Sequence, residues 1–136
     1  MDIGEVVLGW RLRVSDEEIV NLTLSHGGNA ESGWWDQVQE HSLGWVTARD
    51  GAGLLVGFVN VAWDGGDHAF LIDTKTRPSH QRHGLGTAVV RRAVEEAAAA
   101  GCAWMFVDFE PYLESFYIGS CGFTAAPAGL IRLSDV

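Results

Sequence analysis

The sequence predicts an α/β (α+β) fold in which a mixed sheet carries helices on its faces. Three observations predict it. Apolar strand-like runs early in the chain are joined by tight-turn residues, Asp50-Gly51 and Asp64-Gly65-Gly66-Asp67, which read as hairpins. Later, an amphipathic stretch over Leu85 to Ala100 lies between two apolar runs, which reads as a βαβ crossover. The length, 136 residues, suits a single domain over 1–136 with one core.

The elements follow in order. Val6, Leu8, Trp10, Leu12 and Val14 alternate with Val7, Gly9, Arg11 and Arg13, the period of a strand with one buried face. Ser15-Asp16-Glu17-Glu18 is a helix start, with Ser15 as cap and Glu18 closing a capping box. Ile19, Leu22 and Leu24 continue that helix until His26-Gly27-Gly28-Asn29. Ser32 to His41 predicts a second short helix carrying Trp34, Trp35 and Val38. Leu43 to Arg49, Leu54 to Trp63 and His68 to Thr76 predict three strands, the last broken by Pro78. From Leu85 to Ala100, Leu85, Val89, Ala93 and Ala97 recur four apart with Val90 and Val94 beside them, one continuous helical stripe. Gly101 stands where a C-terminal glycine belongs. Ala103 to Phe109 predicts a short buried strand, Leu113 to Ser120 a short helix after Pro111, and the stretches near Phe123 and Leu130 to Leu133 two final strands.

Composition narrows the function classes. A formal net charge of −9 is repelled by nucleic-acid backbones and anionic membranes, so neither is an expected partner. It attracts cationic partners, although acidity also serves solubility. Cys102 and Cys121 are too few for a disulfide framework and form no CxxC pair, so a reducing, cytoplasmic location is expected. Met1-Asp2-Ile3-Gly4-Glu5 lacks the pattern of a signal peptide. No apolar run approaches the ~20 residues of a membrane helix, and Gly57 and Asn60 interrupt the strongest candidate. His80 and His83 have no metal-ligand spacing, and no metal is expected.

The chemistry concentrates between Asp73 and Thr87. An apolar strand runs into a proline break, and Gly84 and Gly86 then open the long helix. Glycines there let the backbone approach a ligand closely. The first helical amides have no partner within the helix, and the helix dipole favours an anion beside them. Arg82 and His83 add donors, so the segment predicts a phosphate or pyrophosphate site; two glycines alone would equally suit a tight loop. A Walker A loop needs a lysine after its glycines, and a dinucleotide fingerprint needs a third glycine; both are missing.

Gln81-Arg82-His83-Gly84-Leu85-Gly86 resembles the [RQ]-x-x-G-x-[GA] signature of the GNAT N-acetyltransferase superfamily. Thr76-Arg77-Pro78-Ser79-His80 resembles the family's lead-in, and Phe116-Tyr117-Ile118-Gly119-Ser120-Cys121-Gly122-Phe123 its F-Y-x-x-x-G-F ending. The resemblance covers about Leu54 to Phe123. It implies a GNAT-like, mostly antiparallel twisted sheet with two splayed central strands, here 68–76 and 103–109, and helices on both faces. It implies acetyl-CoA, or another acyl-CoA, as cofactor, with Gln81, Arg82, His83, Gly84, Leu85, Gly86 and Thr87 at the pyrophosphate. Thr74, Lys75 and Thr76 would pair with the pantetheine arm. Tyr117 would protonate the departing thiolate, against the alternative of a packing role. Glu110, standing where many relatives carry asparagine, and Asp108 form the best pair for a cationic amine. Trp34 and Trp35 fall in the acceptor region, where a pocket wall for one of them and a lid or dimer contact are equal alternatives. The implied activity is transfer of an acetyl group to a primary amine of a small molecule or peptide, with a homodimer compatible. A non-catalytic acyl-CoA-binding module on the same fold is the alternative.

Overall fold

A computed structural model of the chain describes residues 5–136; the expectation about the first residues therefore lies largely outside the described part. Five strands form one sheet in the order β1-β2-β3-β4-β5. They are β1 (Val7–Trp10), β2 (Ser42–Arg49), β3 (Leu55–Trp63), β4 (His68–Thr76) and β5 (Trp104–Phe106). The first four pair antiparallel, and β4 and β5 pair in parallel. The parallel pair needs a long crossover, and helix α3 (Leu85–Ala99) supplies it.

Turn chemistry explains the hairpins. Asp50 Oδ1 accepts from the amides of Ala52 and Leu54, and Asp64 Oδ1 from those of Gly66 and His68. The left-handed residue in each turn is a glycine, Gly53 (φ 87°) and Gly65 (φ 84°).

The two faces of the sheet bury different clusters. One face packs Val46, Ala48, Val56, Val59, Val61 and Leu71 against Leu85, Val89, Val90, Ala93 and Ala97 of α3. The expected stripe is thus the buried face, except that Val94 is exposed. The opposite face packs Trp45, Leu55 and Phe58 against Ile19 and Leu22 of α1 (Asp16–Ser25) and Trp35 of α2 (Trp34–Val38). Helices therefore cover both faces.

The start of α1 has its capping box: the Glu18 amide donates to Ser15 Oγ, and the Ser15 amide donates to Glu18 Oε1. Such a cap contributes about 1 kcal/mol. Glu18 also pairs with Arg49 of β2 at 2.5 Å, tying helix to sheet.

Four expectations are corrected. The first strand stops at Trp10 rather than Val14, because Arg11 turns into the left-handed region (φ 56°). The strand after α3 is three residues long and exposed at both ends, not a buried run through Phe109: its pairing ends at Phe70 opposite Phe106, with no strand beyond it. The expected helix over 113–120 is a 3-10 turn (Pro111–Leu113) followed by a π-helical turn (Ser115–Ser120). The two final strands are absent; residues 124–136 are exposed and carry only a 3-10 turn at Leu133–Asp135.

One irregularity positions the site. Between Phe58 opposite Lys75 and Asn60 opposite Ile72, β3 advances two residues while β4 advances three. The extra residue makes a bulge, and Asp73 takes φ 60° within it.

Candidate active site

The β4–β5 pair opens beyond Phe70, so among the described strands nothing pairs with that side of β4 from Leu71 to Thr76. A cleft of about 840 Å³ begins there. Thr74, Lys75 and Thr76 line it from β4, and Gln81, Arg82, Gly84, Gly86 and Thr87 from the loop and the first turn of α3. Tyr112, Phe116 and Tyr117 close the far side. Eight of the ten expected cofactor residues therefore share one cleft. His83 does not line it, and Leu85 turns its side chain fully into the core, where it packs near Gly57.

The loop backbone explains the glycines. Arg82 (φ 64°) and Gly84 (φ 82°) are both left-handed, and Gly84 precedes α3 with no side-chain cap on the first helical amides. Left-handed residues beside uncapped amides form a concavity suited to an anion. A Cβ on Gly84 would meet open space, so its glycine serves the backbone conformation. Gly86 differs: a Cβ there would stand 3.2 Å from Phe116, so its glycine lets the π-helical turn pack onto α3.

Tyr117 is 6% exposed and lies among Phe109, Phe116 and Phe123. Its hydroxyl donates to Thr74 Oγ1 at 3.2 Å, which aims it at the open side of β4. Burial pushes the phenol above its usual pKa, partly offset by the Thr74 hydrogen bond, so it holds its proton.

A second cavity of about 530 Å³ lies on the other side of Lys75, between α1, the segment after it, and the bulge. Ile19, Thr23, Glu31, Trp34, Asp73 and Lys75 are among its lining residues. Lys75 lines both cavities and lies 5.9 Å from the Trp34 ring centroid. Burial raises the Asp73 pKa, with the Lys75 charge opposing; burial lowers that of Lys75, with Asp73 opposing.

The expected acceptor residues separate. Trp34 lines the second cavity, but Trp35 is fully buried, edge-on to Trp45 and Phe58 at 5.1 Å, and has no surface to offer a ligand. Asp108 and Glu110 stand exposed on the segment after β5 and line neither cavity. Asp108 is near enough to Tyr117 to add slightly to its raised pKa. Asp73 was visible only as one carboxylate on a strand. Its bulge depends on pairing with β3, and no local signal marked it.

Comparison with known proteins agrees with this architecture. No curated protein matches the sequence. The fold matches a GNAT-family acetyltransferase from Streptococcus pneumoniae TIGR4, 22% identical, over 94% of this chain and 97% of that one (TM-score 0.79). It also matches the GNAT-family N-acetyltransferase YhbS from Escherichia coli in complex with CoA, 16% identical, over 88% and 69% (TM-score 0.73). A third match is AAC(6')-Iy in complex with the bisubstrate analog CoA-S-monomethyl-acetylneamine, 16% identical, over 93% and 96% (TM-score 0.73). In sequence, the model of the acetyltransferase (GNAT) family matches residues 14–123, spanning both cavities and Tyr117. The chain belongs to the acetyltransferase (GNAT) family.

Proposed function

We propose that the chain transfers an acetyl group from acetyl-CoA to a primary amine of a small molecule or peptide, by direct attack in a ternary complex. One observation carries this reading: a single cleft joins an uncapped helix start, an unpaired strand side and a buried tyrosine hydroxyl. These suit, in order, a pyrophosphate, an amide-bearing arm and a thiolate leaving group. The cleft volume lies within the range of small-molecule sites. Bound there, acetyl-CoA supplies the activated thioester carbonyl.

The chain's residues supply the rest. Arg82 and the first amides of α3 hold the pyrophosphate, with Gln81, His83, Leu85, Gly86 and Thr87 completing the loop. Asp73 faces the neighbouring cavity, where it can hold an ammonium group and take its proton. The amine nitrogen then bonds to the carbonyl carbon as the carbon–sulfur bond breaks. Tyr117 gives its proton to the sulfur, and the acylated nitrogen loses its extra proton to solvent, from which the phenolate is reprotonated. Trp34 lines the amine's cavity, and Asp108 and Glu110 add negative charge outside it.

The alternative, an acyl-CoA-binding module without transfer, draws on the exposure of Asp108 and Glu110 away from both cavities. Calorimetric titration of acetyl-CoA, followed by an amine panel, separates the readings. Micromolar binding, lost in Gly84→Trp, with transfer to an amine is expected. Binding without transfer to any amine selects the module, and no binding removes both.

A further inference from the structure

The second cavity holds two opposite charges from one strand. Asp73 and Lys75 both line it, one on each side of Thr74. Two strand residues span about 7 Å at most, so the charged groups are near neighbours. Neither belongs to an ion pair among the described residues. Burial is the leading influence on both. It raises the Asp73 pKa and lowers that of Lys75, in each case outweighing the other's opposing charge. A fully matched pair would shift the opposite way. Each half-buried charge therefore lacks a sufficient counter-charge, and such a group favours a ligand that brings one.

Lys75 is the more telling of the two. It is the one cation lining this cavity among the described residues, in a chain with 9 basic residues against 18 acidic ones. Its ammonium stands 5.9 Å from the Trp34 ring centroid, and a ring face favours a cation. Glu31 also lines the cavity but is exposed, so water and salt screen its charge. A plain amine would answer Asp73 and leave Lys75 unmatched. A polyamine would also set its second ammonium against Lys75. An amine with a carboxylate on the adjacent carbon answers both charges at once.

We infer that the second cavity is a site for a free α-amino acid, with its ammonium on Asp73 and its carboxylate on Lys75. As the acceptor's identity, this rests on the transfer proposed above. Ile19, Val20 and Trp34 give an apolar wall for the side chain, so apolar amino acids suit the cavity best. Peptide N-termini are excluded, because their nearest carboxyl group is tied up as an amide. The transfer step is unchanged: the nitrogen–carbon bond forms, the carbon–sulfur bond breaks, and an N-acetylamino acid and the protonated thiol leave. That product keeps its carboxylate but has lost its ammonium. Asp73 then ceases to hold it, which favours release.

Calorimetric titration of alanine, leucine, phenylalanine, glutamate and arginine, each beside its own amide, tests this with and without CoA. Amidation removes the carboxylate charge and keeps the amine and side chain. The best-bound amino acid is expected to bind about 30-fold or more tighter than its amide, because an unmatched, partly buried charge costs that much. Lys75→Met keeps the apolar stem and is expected to bring that ratio to about 1. Lys75→Arg restores the charge and is expected to restore the preference. No preference for any acid over its amide, or a preference that survives Lys75→Met, would overturn the site. Transfer is scored separately on the same panel by thiol release. Selective binding without transfer would support the amino-acid site and remove the proposed reaction. Transfer to the amides as fast as to the acids would keep the reaction and remove the amino acid as its acceptor.

Discussion

At the residue scale, the roles proposed for Tyr117 and Asp73 rest on how each is held. Three aromatic neighbours and one hydrogen bond leave Tyr117 little freedom, and burial keeps its proton on. Removing the hydroxyl while keeping the ring isolates the chemistry from the packing. Tyr117→Phe is expected to lower kcat about 100-fold or more with KM for acetyl-CoA changed little, as measured by thiol release. Because the phenol's pKa is raised above about 10, the wild-type rate should not fall on the alkaline side until beyond that pH.

Asp73 makes a second residue-scale prediction. Its left-handed backbone is one that asparagine also tolerates, so Asp73→Asn removes the charge without straining the bulge. The carboxylate must be ionised to accept a proton, and burial raises its pKa, so the acid limb of kcat/KM should lie above the ordinary carboxylate range. Asp73→Asn is expected to abolish that limb and reduce kcat/KM for the amine by about 100-fold. An unchanged pH profile in the variant would remove Asp73 from the reaction while leaving acetyl-CoA binding untouched.

At the element scale, the helix α1 and the β2–β3 hairpin are joined through one carboxylate. Glu18 caps its own helix and accepts from Arg49, whose guanidinium also donates to the Arg13 and Gly53 carbonyls. The Arg49 hydrogen bond leads the causes that hold the Glu18 pKa at about 2, against an ordinary 4.5. A depressed carboxylate stabilises the fold fully above its unfolded pKa and loses that contribution as pH falls toward its folded one. The window is therefore about pH 4.5 down to 2. The pair is partly exposed, so solvent screening reduces its worth to about 1 kcal/mol. Glu18→Gln is expected to lose about that much in urea unfolding at pH 7, with the difference from wild type vanishing near pH 2. The bulge in β4 works at the same scale. Asp73 within it and Lys75 after it both line the second cavity, while Thr74 between them reaches Tyr117.

At the scale of the whole molecule, the sheet divides labour between its faces and its ends. Helix α3 seals one face and presents its start to the cleft; α1 and α2 seal the other and wall the second cavity. Both cavities meet at Lys75, on the stretch of β4 that β5 leaves unpaired. No helix among the described residues is long and apolar enough to cross a membrane.

Much of this was legible in the chain because its causes are local. The Ser15–Glu18 box, the aspartate–glycine turns and the α3 stripe each depend on residues within a few positions of one another, and each stands where the sequence puts it. Of the loop motif, Gln81, Arg82, Gly84 and Gly86 likewise share one cleft. What escaped was decided by neighbours remote in sequence. Trp34 and Trp35 are equivalent in any local reading, yet Trp45 and Phe58 from the sheet bury one of them entirely. The bulge at Asp73 exists only as a mismatch between two strands. The exposed edge at Trp104 and the free arm after Phe123 follow from strands that did not form. Sequence by itself determined the cap of α1, the hairpin turns, the long helix α3 and the glycine loop that opens it, because capping, turn and periodicity rules act over a few residues. Only the tertiary structure decided which side chains meet in the two cavities, because burial and strand register belong to pairs of segments and to no single one.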